Sequence, residues 1–267
     1  MPRARSFAVS TQLYHGRRLT RDHLHEVASA GFDAVELSAL RTHIDYHHDS
    51  SIGDLQQWLA EARLSVASVH APVAEHLGAG RSVALNLASP DAADRAHAVE
   101  EATRALQVAR RLAFPVLVVH AGVVRTPRQA PGENNRDAAR RSIETLAGAA
   151  RPLGVAIAVE LMQNELSKAA SLAHFVEDVL DAGAASICLD LGHAHIAGDV
   201  LDAIETVSEH LVLVHAHDNR GRTDEHLAPF EGTIDWPGAM TTLQKVDRKS
   251  TRLNSSHVSE SRMPSSA

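Results

Sequence analysis

Histidine and carboxylate side chains stand at the ends of several short apolar runs in this sequence. Examples are Glu36 in Val-Glu-Leu, His70 in Val-His-Ala-Pro and His120 in Val-Val-His-Ala-Gly. The later runs end in the same way, in Glu160, Asp190, His193, His215, His217 and Asp218. Unpaired charges are costly to bury, whereas carboxylates and imidazoles are natural ligands of divalent metals. If these ends meet in the folded chain, they predict a metal site.

Histidine is also unusually abundant. The chain has 18 histidines but only five Phe, two Trp and two Tyr. Histidine is a common metal ligand and titrates near neutral pH. A polar segment with Asp224 and His226 adds two candidate ligands, although its spacing fits an exposed loop equally well. A further loop, with His43, His47 and His48, is expected near the same group, but contact of these three with a substrate is not the favoured interpretation.

The apolar runs that carry the polar residues have the length of β-strands. Most are continuously apolar, which is typical of strands buried on both faces of a parallel sheet. The segments between them repeat apolar residues at helical spacing, for example Val99, Ala102 and Leu106. The predicted strands are residues 7–13, 34–37, 66–70, 116–120, 155–161, 186–191 and 211–215. Alternating strands and helices predict an α/β fold, either an open doubly wound sheet or a closed (β/α)8 barrel.

The number of units favours the barrel. Seven strand–helix units precede Val246, and a complete barrel takes about 250 residues and eight units. No Gly-rich phosphate loop follows the first predicted strand, which disfavours a dinucleotide-binding sheet. We therefore predict a (β/α)8 TIM barrel whose eighth βα unit is missing through C-terminal truncation. The active site of such a barrel lies at the C-terminal ends of its strands, where the polar residues stand.

Residues 247–267 differ from the sequence before them. The apolar periodicity stops there and a Ser-rich stretch without a pattern follows. Residues 247–257 and 261–267 resemble a translated short-read sequencing adapter, with residues 258–260 in the place of its variable index. We therefore expect an incomplete barrel over residues 1–246 and a non-native disordered tail over residues 247–267. An open barrel would expose two strand edges, so reduced stability and activity are expected.

Composition and charge exclude several classes of protein. The net charge is −7, and a chain this negative is not expected to bind nucleic acid broadly. No apolar run approaches the roughly 20 residues of a membrane span, and no apolar segment follows the basic N-terminus as in a secretory signal. One cysteine, Cys188, excludes an internal disulfide and favours the cytoplasm. The sequence leaves the oligomeric state open, a homo-oligomer included.

Taken together, the motifs resemble the xylose-isomerase-like barrel superfamily, which includes sugar phosphate isomerases and epimerases and the endonuclease IV family. The resemblance covers about residues 6–244. It rests on an ordered set, namely His-Ala-Pro at 70–72, Asn-Leu-Ala-Ser-Pro-Asp at 86–91, Val-His-Ala-Gly at 119–122, Glu160, Asp-Leu-Gly-His at 190–193, His-Ala-His-Asp-Asn at 215–219, Asp-Glu-His at 224–226 and Gly-Thr-Ile-Asp-Trp at 232–236.

In the isomerase and epimerase branch, the resemblance implies one divalent metal, Mn, Zn, Mg or Co, held by Glu160, Asp190, His215 and a second Glu. That second Glu would end the eighth strand, which this sequence is predicted to lack. The resemblance also implies proton abstraction next to a carbonyl of a sugar or sugar phosphate through an enediolate, with Glu160 as the catalytic carboxylate. Substrate would contact His193, with Glu36, His217 and Arg220 as further candidates.

In the endonuclease IV branch, the resemblance implies three zinc ions that act on a phosphodiester. Beyond the three ligands named above, the matching positions are His70, His120, His193, Asp224 and His226. No basic, aromatic-bearing loops for reading DNA are evident, and aromatic residues are only 3% of the chain. The metal-dependent sugar isomerase or epimerase is therefore favoured. The alternatives are a zinc-dependent phosphodiesterase acting on abasic DNA and a non-catalytic ligand-binding barrel.

Overall fold

The described part of the chain forms a closed barrel of parallel strands. The computed structural model describes residues 7–76, 81–124, 133–247 and 256–258. In chain order the strands are β1 (Phe7–Ser10), β2 (Ala34–Ser38), β3 (Ser65–His70), β4 (Ala74–His76), β5 (Ser82–Ala84), β6 (Val116–Val119), β7 (Ala156–Glu160), β8 (Ser186–Asp190), β9 (Leu211–Ala216) and β10 (Ser256–Val258). The barrel order is β1-β2-β3-β6-β7-β8-β9-β10, with β10 paired to β1, while β4 and β5 form a separate antiparallel pair. Since all barrel neighbours are parallel, their carboxyl ends face one mouth.

Helices connect successive strands of the barrel. They are α1 (Arg21–Ser29), α2 (Asp49–Ala62), α3 (Ala92–Gln107), α4 (Arg136–Ala150), α5 (Ala169–His174), α6 (Leu191–Ala197), α7 (Val200–Val207) and α8 (Trp236–Asp247). The side chains of Asp91 and Asn135 accept backbone N–H groups at the starts of α3 and α4, which fixes where those helices begin. None of the described helices has both the length and the apolar character needed to cross a membrane.

Apolar side chains fill both the barrel and the layer between the barrel and its helices. Successive residues of a strand point to opposite faces of the sheet. One set of alternate residues forms a small cluster of Val116, Val118, Ala158, Cys188 and Leu213. The other set, with Leu117, Ile157 and Leu189, joins the large cluster that includes the buried faces of the helices. Both faces of these strands are therefore buried, as the continuous apolar runs predict.

The seven strands predicted between residues 7 and 215 are present, and the predicted α/β barrel is confirmed. The first strand is shorter than predicted because the side chain of Ser10 accepts the N–H of Gln12 and starts a 3-10 helix over Thr11–Tyr14. The sequence pattern does not predict the β4–β5 pair. Strands of three residues are too short to show a hydrophobic period.

The eighth strand position is occupied, which differs from the open barrel that the sequence predicts. Ser256–Val258, from the segment expected to be a disordered tail, pairs in parallel with β1 on one side and β9 on the other. Backbone N–H and C=O groups form such ladders whatever side chains accompany them, so three residues can satisfy both edges. The residues after Val258 lie outside the described residues, and the non-native origin of residues 247–267 stays a prediction.

Replacing a buried leucine of α4 tests the packing between helices and barrel. Leu146 is 0% exposed, so Leu146→Ala is expected to lower the free energy of unfolding by about 2–5 kcal/mol. Its exposed neighbour on the helix gives the matched control, and Thr145→Ala should change that free energy by no more than about 0.5 kcal/mol. Urea unfolding followed by circular dichroism measures both. Equal stabilities of the two variants would contradict the packing described.

Candidate metal centre

The polar strand ends meet at the carboxyl mouth of the barrel. His70, Glu160 and Asp190 are the last residues of β3, β7 and β8. His120 follows β6 directly, and His215 lies one residue before the end of β9. Parallel strands in a closed barrel end on the same side, so residues far apart in sequence become neighbours. The convergence that the sequence predicts is therefore present.

The carboxylate of Glu160 lies at the centre of this group. Its Oε2 is 2.9 Å from His70 Nε2 and 3.1 Å from His120 Nε2. Its Oε1 is 3.3 Å from His215 Nδ1 and 3.6 Å from His193 Nδ1. Glu160 is only 3% exposed. A single buried carboxylate thus lies between four imidazoles.

The carboxylate of Asp190 lies beside Glu160 and also starts α6. Its Oδ1 accepts the backbone N–H of His193 at 2.7 Å, which caps the helix. Its Oδ2 is 3.0 Å from His217 Nε2 and 3.8 Å from His215 Nδ1. The ligand atoms of Glu160, Asp190 and His215 all lie within 4.8 Å of one another. These are three of the four ligands that the sequence resemblance implies for one metal ion, the fourth being the second Glu.

Three further groups of the same kind overlap with the first. In each of them, the ligand atoms also lie within 4.8 Å of one another. The groups are His70, His120 and Glu160; Asp190, His193 and His217; and His217, Asp224 and His226. Asp224 Oδ2 is 3.0 Å from His226 Nε2 and 3.3 Å from His193 Nε2, so the loop after β9 reaches the site. The predicted loop ligands therefore join the strand-end residues in one continuous cluster.

The donor set fits a divalent cation. Imidazole nitrogens and carboxylate oxygens suit Zn, Mn and Co, and carboxylates alone suit Mg. The Nδ1 of His217 is buried and has no hydrogen-bond partner within the described ranges. It lies 3.8 Å from Asp224 Oδ1, too far for a hydrogen bond. A nitrogen held in this way beside a carboxylate is suited to coordinate a metal ion.

The protonation states of the cluster follow from two opposing effects, burial and the opposite charge of neighbouring side chains. Burial opposes ionisation of Glu160, but His215 and His120 hold its pKa well below the usual range. Burial likewise opposes ionisation of Asp190, but His193 and His217 lower its pKa to about 2. For His193, burial favours the neutral ring, but Asp190 and Asp224 raise its pKa to about 10. In the absence of metal the ring of His193 therefore holds a proton at neutral pH, and that proton would compete with a cation.

Glu36, a predicted substrate contact, lies behind His215 rather than at the surface of the mouth. Its Oε2 is 3.1 Å from His215 Nε2 and accepts a hydrogen bond from Ser68 Oγ at 2.6 Å. Glu36 is only 1% exposed. A carboxylate on the far nitrogen of a metal-binding histidine fixes the tautomer and the orientation of the ring. This arrangement gives Glu36 an orienting contact with His215, and its contact with substrate stays a prediction.

Arg220 and the histidines of the loop after β2, His43 and His47, contact residues outside the cluster. The Arg220 side chain is exposed and forms an ion pair with Glu225. His43 is buried, with Nδ1 2.7 Å from the carbonyl oxygen of Arg17, and His47 Nε2 is 2.9 Å from Glu101 Oε2. The structure therefore does not bring Arg220 together with the metal-ligand cluster, and its role as a substrate contact also stays a prediction.

Sequence reasoning missed two polar side chains that support the cluster. Ser68 stands two residues before His70 and so faces the same side of β3. The sequence marks Asp218 only as one of several strand-end residues, yet its carboxylate accepts hydrogen bonds from several parts of the following loop and from Trp236. The period of two within a strand could have indicated Ser68. The contacts of Asp218 depend on the path of a loop, which no periodicity shows.

Comparisons with known proteins agree with this fold. Residues 24–250 match the family model described as xylose isomerase-like TIM barrel. The chain is 28% identical over 247 residues to the uncharacterized protein MJ1311 of Methanocaldococcus jannaschii, covering 90% of this chain and 80% of that protein. It is 27% identical over 233 residues to L-ribulose-5-phosphate 3-epimerase UlaE of Salmonella paratyphi A, covering 84% and 77%.

Solved structures that resemble this one include that of a D-tagatose 3-epimerase-like protein. It has 26% sequence identity and a TM-score of 0.79, and the match covers 97% of this chain and 91% of that one. An IOLI protein with a bound zinc atom, at 17% identity and a TM-score of 0.75, covers 96% of this chain and 89% of that one. The second likeness, at such low identity, concerns the fold alone.

Removing the charge of Glu36 should lower the pKa of His215. Although burial favours the neutral ring, the neighbouring Cys188, Glu36 and Glu160 hold the pKa of His215 well above its usual range. In Glu36→Gln the negative charge of Glu36 is gone, so the ring should lose its proton at lower pH. A titration of the metal-free protein followed by NMR of the histidine rings measures this.

The matched control for that titration is Glu101→Gln. Glu101 is also buried and is also bonded to a hydroxyl and an imidazole, those of Tyr46 and His47, but it lies outside the cluster. The control should leave the titration of His215 unchanged. An unchanged His215 titration in Glu36→Gln would show that Glu36 does not influence the ring.

Proposed function

Because the chain belongs to the xylose isomerase-like TIM barrel family, we propose that it is a divalent-metal-dependent isomerase or epimerase of a sugar or sugar phosphate. The observation that carries the proposal is the convergence of Glu160, Asp190 and His215 at the mouth of the barrel. Relatives named as sugar epimerases, at 26% and 27% identity over most of this chain, support the same class of reaction. The particular sugar is left open.

The metal would be held by Glu160, Asp190 and His215, whose nitrogen and oxygen donors suit Mn, Zn or Co, or Mg where carboxylates predominate. A bound divalent ion would supply a positive charge that stabilises negative charge as it develops on adjacent substrate oxygens. Glu36 would keep the ring of His215 in the orientation that ligation needs. His70 and His120 would remain with the other oxygen of Glu160.

Glu160 is the residue best placed to move the proton. Its carboxylate is ionised at neutral pH because His215 and His120 hold its pKa well below the usual range against the effect of burial. An ionised carboxylate can take the proton from the carbon next to a carbonyl. Protonation of the same carbon on its opposite face, by a second acid on that side, would give an epimer. Protonation of the neighbouring carbon, with transfer of the hydroxyl proton to the former carbonyl oxygen, would give an isomer.

His193 and His217 would orient the substrate. Both are buried and lie at the start of α6 and directly after β9, on the side of the cluster next to Asp224. Imidazole N–H groups donate hydrogen bonds, and sugar hydroxyl and carbonyl oxygens accept them. Substrate held in this way would place the carbon next to its carbonyl towards Glu160. Positioning of this kind accounts for a large share of the rate enhancement in many enzymes.

Glu160→Gln tests the proposal most directly. The variant should lose about 10²- to 10⁴-fold in turnover because the base is gone, and it should bind the added divalent ion more weakly. Turnover is measured as exchange of the carbon-bound proton of ketoses and ketose phosphates into deuterated water, followed by proton NMR with each of the four metals added. The matched control is Glu165→Gln. Glu165 is exposed and lies in the loop that follows β7, so this variant should behave as the unaltered chain does.

Failure of the proposal would be clear in the same assay. If the unaltered chain exchanges no proton with any ketose or ketose phosphate under any of the four metals, the isomerase and epimerase assignment is wrong. If it exchanges protons equally well after complete removal of metal by a chelator, the metal dependence is wrong while the reaction class stands.

A second candidate function is a zinc-dependent phosphodiesterase acting on abasic DNA. The observation that favours it is that all eight positions implied by that resemblance belong to the assembled groups, namely His70, His120, Glu160, Asp190, His193, His215, Asp224 and His226. Clustered metal ions can activate a hydroxide and stabilise a leaving oxygen. The negative net charge of −7 and the 3% aromatic content weigh against a DNA substrate.

We expect no incision of a duplex with a single abasic site when the chain is loaded with zinc. The negative charge of the chain repels the phosphate backbone, and few aromatic side chains are available to enter the duplex. Gel analysis of an end-labelled duplex measures incision, with an unmodified duplex as control. Incision that depends on zinc and on Glu160, with no proton exchange on sugars, would reverse the ranking of the two functions.

A further inference from the structure

The loop between β9 and α8 is long, yet it carries two members of the ligand cluster. Residues 217–235 connect Ala216 to Trp236, and Asp224 and His226 lie near the middle. A connection of this length without helices or strands needs internal hydrogen bonds to keep one conformation. Its backbone meets itself where Asp218 and Leu227 exchange N–H to C=O hydrogen bonds of 2.7 and 2.9 Å, and again where the N–H of Thr233 donates to the carbonyl oxygen of Asn219 at 2.9 Å.

The carboxylate of Asp218 forms the centre of this loop. Asp218 is 0% exposed. Its Oδ1 accepts the backbone N–H groups of Asn219 and Ile234, at 2.8 and 3.2 Å. Its Oδ2 accepts the backbone N–H of Phe230 at 3.1 Å and the indole N–H of Trp236 at 2.7 Å. One side chain therefore joins the beginning of the loop to its end and to α8.

Asn219 joins the same loop to the start of α6. Its Nδ2 donates to the carbonyl oxygen of Gly192 at 2.8 Å, and its Oδ1 accepts the N–H of Gly221 at 2.8 Å. A Cβ at Gly192 would lie 2.0 Å from Cε1 of His217. The absence of a side chain at that position lets His217 reach Asp190 beneath the loop.

The loop places Asp224 and His226 against His193 and His217. Asp224 Oδ2 lies 3.3 Å from His193 Nε2, and the rings of His217 and His226 are stacked with centroids 4.1 Å apart. His226 has a φ of +48°, in the left-handed region that few residues other than glycine adopt. Backbone strain of this kind persists only where the surroundings hold it.

We infer that Asp218 is a positioning residue for a second part of the ligand cluster. It acts through the loop, by holding Asp224 and His226 at His193 and His217, and its carboxylate accepts the hydrogen bonds described above from residues outside the cluster. In the proposed function His193 and His217 contact the substrate, and the inference adds that the same two rings can bind a divalent cation together with Asp224 and His226. The part of the cluster formed by His70, His120 and Glu160 should not depend on Asp218, because those residues come from β3, β6 and β7.

The chemistry of the carboxylate makes Asp218→Asn a sharp test. Each oxygen of Asp218 faces two N–H donors. An amide replaces one of these oxygens with an NH2 group, which is itself a donor and accepts nothing. Whichever way the amide turns, two of these four N–H groups lose their acceptor and face another donor. The shape of the side chain is kept, so the barrel beneath should fold as before.

The matched control is Asp235→Asn. Asp235 belongs to the same loop, is exposed, and accepts the N–H of Gly238 at the start of α8. Asparagine caps a helix nearly as well as aspartate does. Hydrogen exchange measured by mass spectrometry should therefore rise in residues 219–235 of Asp218→Asn. It should stay unchanged there in Asp235→Asn, and unchanged in β6 and β7 of both variants.

Zinc binding to the metal-free chain, followed by calorimetry, tests the link to the cluster. Zinc binding that is present in the unaltered chain and lost in Asp224→Asn is assigned to the part of the cluster that contains Asp224. Asp218→Asn should weaken that component by roughly 10- to 100-fold, as loss of outer supporting contacts does in metal sites. In a chain that already carries Asp224→Asn, Asp218→Asn should change zinc binding by no more than about twofold.

Several results would overturn the inference. Exchange that rises throughout the barrel would show a general loss of stability instead of positioning. Equal effects of Asp218→Asn with and without Asp224→Asn would show that it does not act through Asp224. Zinc binding untouched by Asp224→Asn would remove the second part of the cluster itself. By contrast, a chain that binds zinc as described but exchanges no proton on sugars contradicts only the proposed function.

Discussion

The site depends on one buried carboxylate surrounded by imidazoles. Glu160 lies within 3.6 Å of nitrogens from four histidines, which come from β3, β6, α6 and β9. Desolvation makes an isolated charge at such a position very costly, and opposite charge in close contact is what offsets it. Removal of any partner leaves the rest under-compensated, so the elements that carry these residues are coupled through Glu160 as well as through the sheet.

The barrel separates this charge from an apolar interior. Below the mouth, alternate strand residues such as Val118, Ala158 and Cys188 form an apolar cluster, whereas the ionisable Glu160 and Asp190 end their strands. Strands β7 and β8 therefore contribute apolar side chains to stability along their length and one ionisable side chain to the candidate site at their end. This division lets loops after the strands vary the site while the packed interior stays constant.

Much of the site follows from the sequence because strand ends are easy to locate. Continuous apolar runs predict where strands stop, and closure of the barrel then brings Glu160, Asp190 and His215 together. The pairings within the cluster could not be predicted, since which nitrogen of His215 meets Glu36 depends on the rotation of one ring. The path of residues 217–235 could not be predicted either, because it is held by Asp218 without any periodic pattern. The same limit applies to Ser256–Val258, whose pairing uses the backbone alone.

The absence of a side chain at Gly192 limits which residues can replace one another at two positions during the evolution of this barrel. The ring of His217 occupies the space that a Cβ at position 192 would need. The two positions therefore share one fixed volume, and a larger residue at one requires a smaller residue at the other. Relatives that carry alanine or serine at this place in α6 should also carry a residue smaller than histidine two positions after the histidine of β9. In related sequences, the residues at the positions of Gly192 and His217 would then indicate which barrels have room for an imidazole beneath the loop.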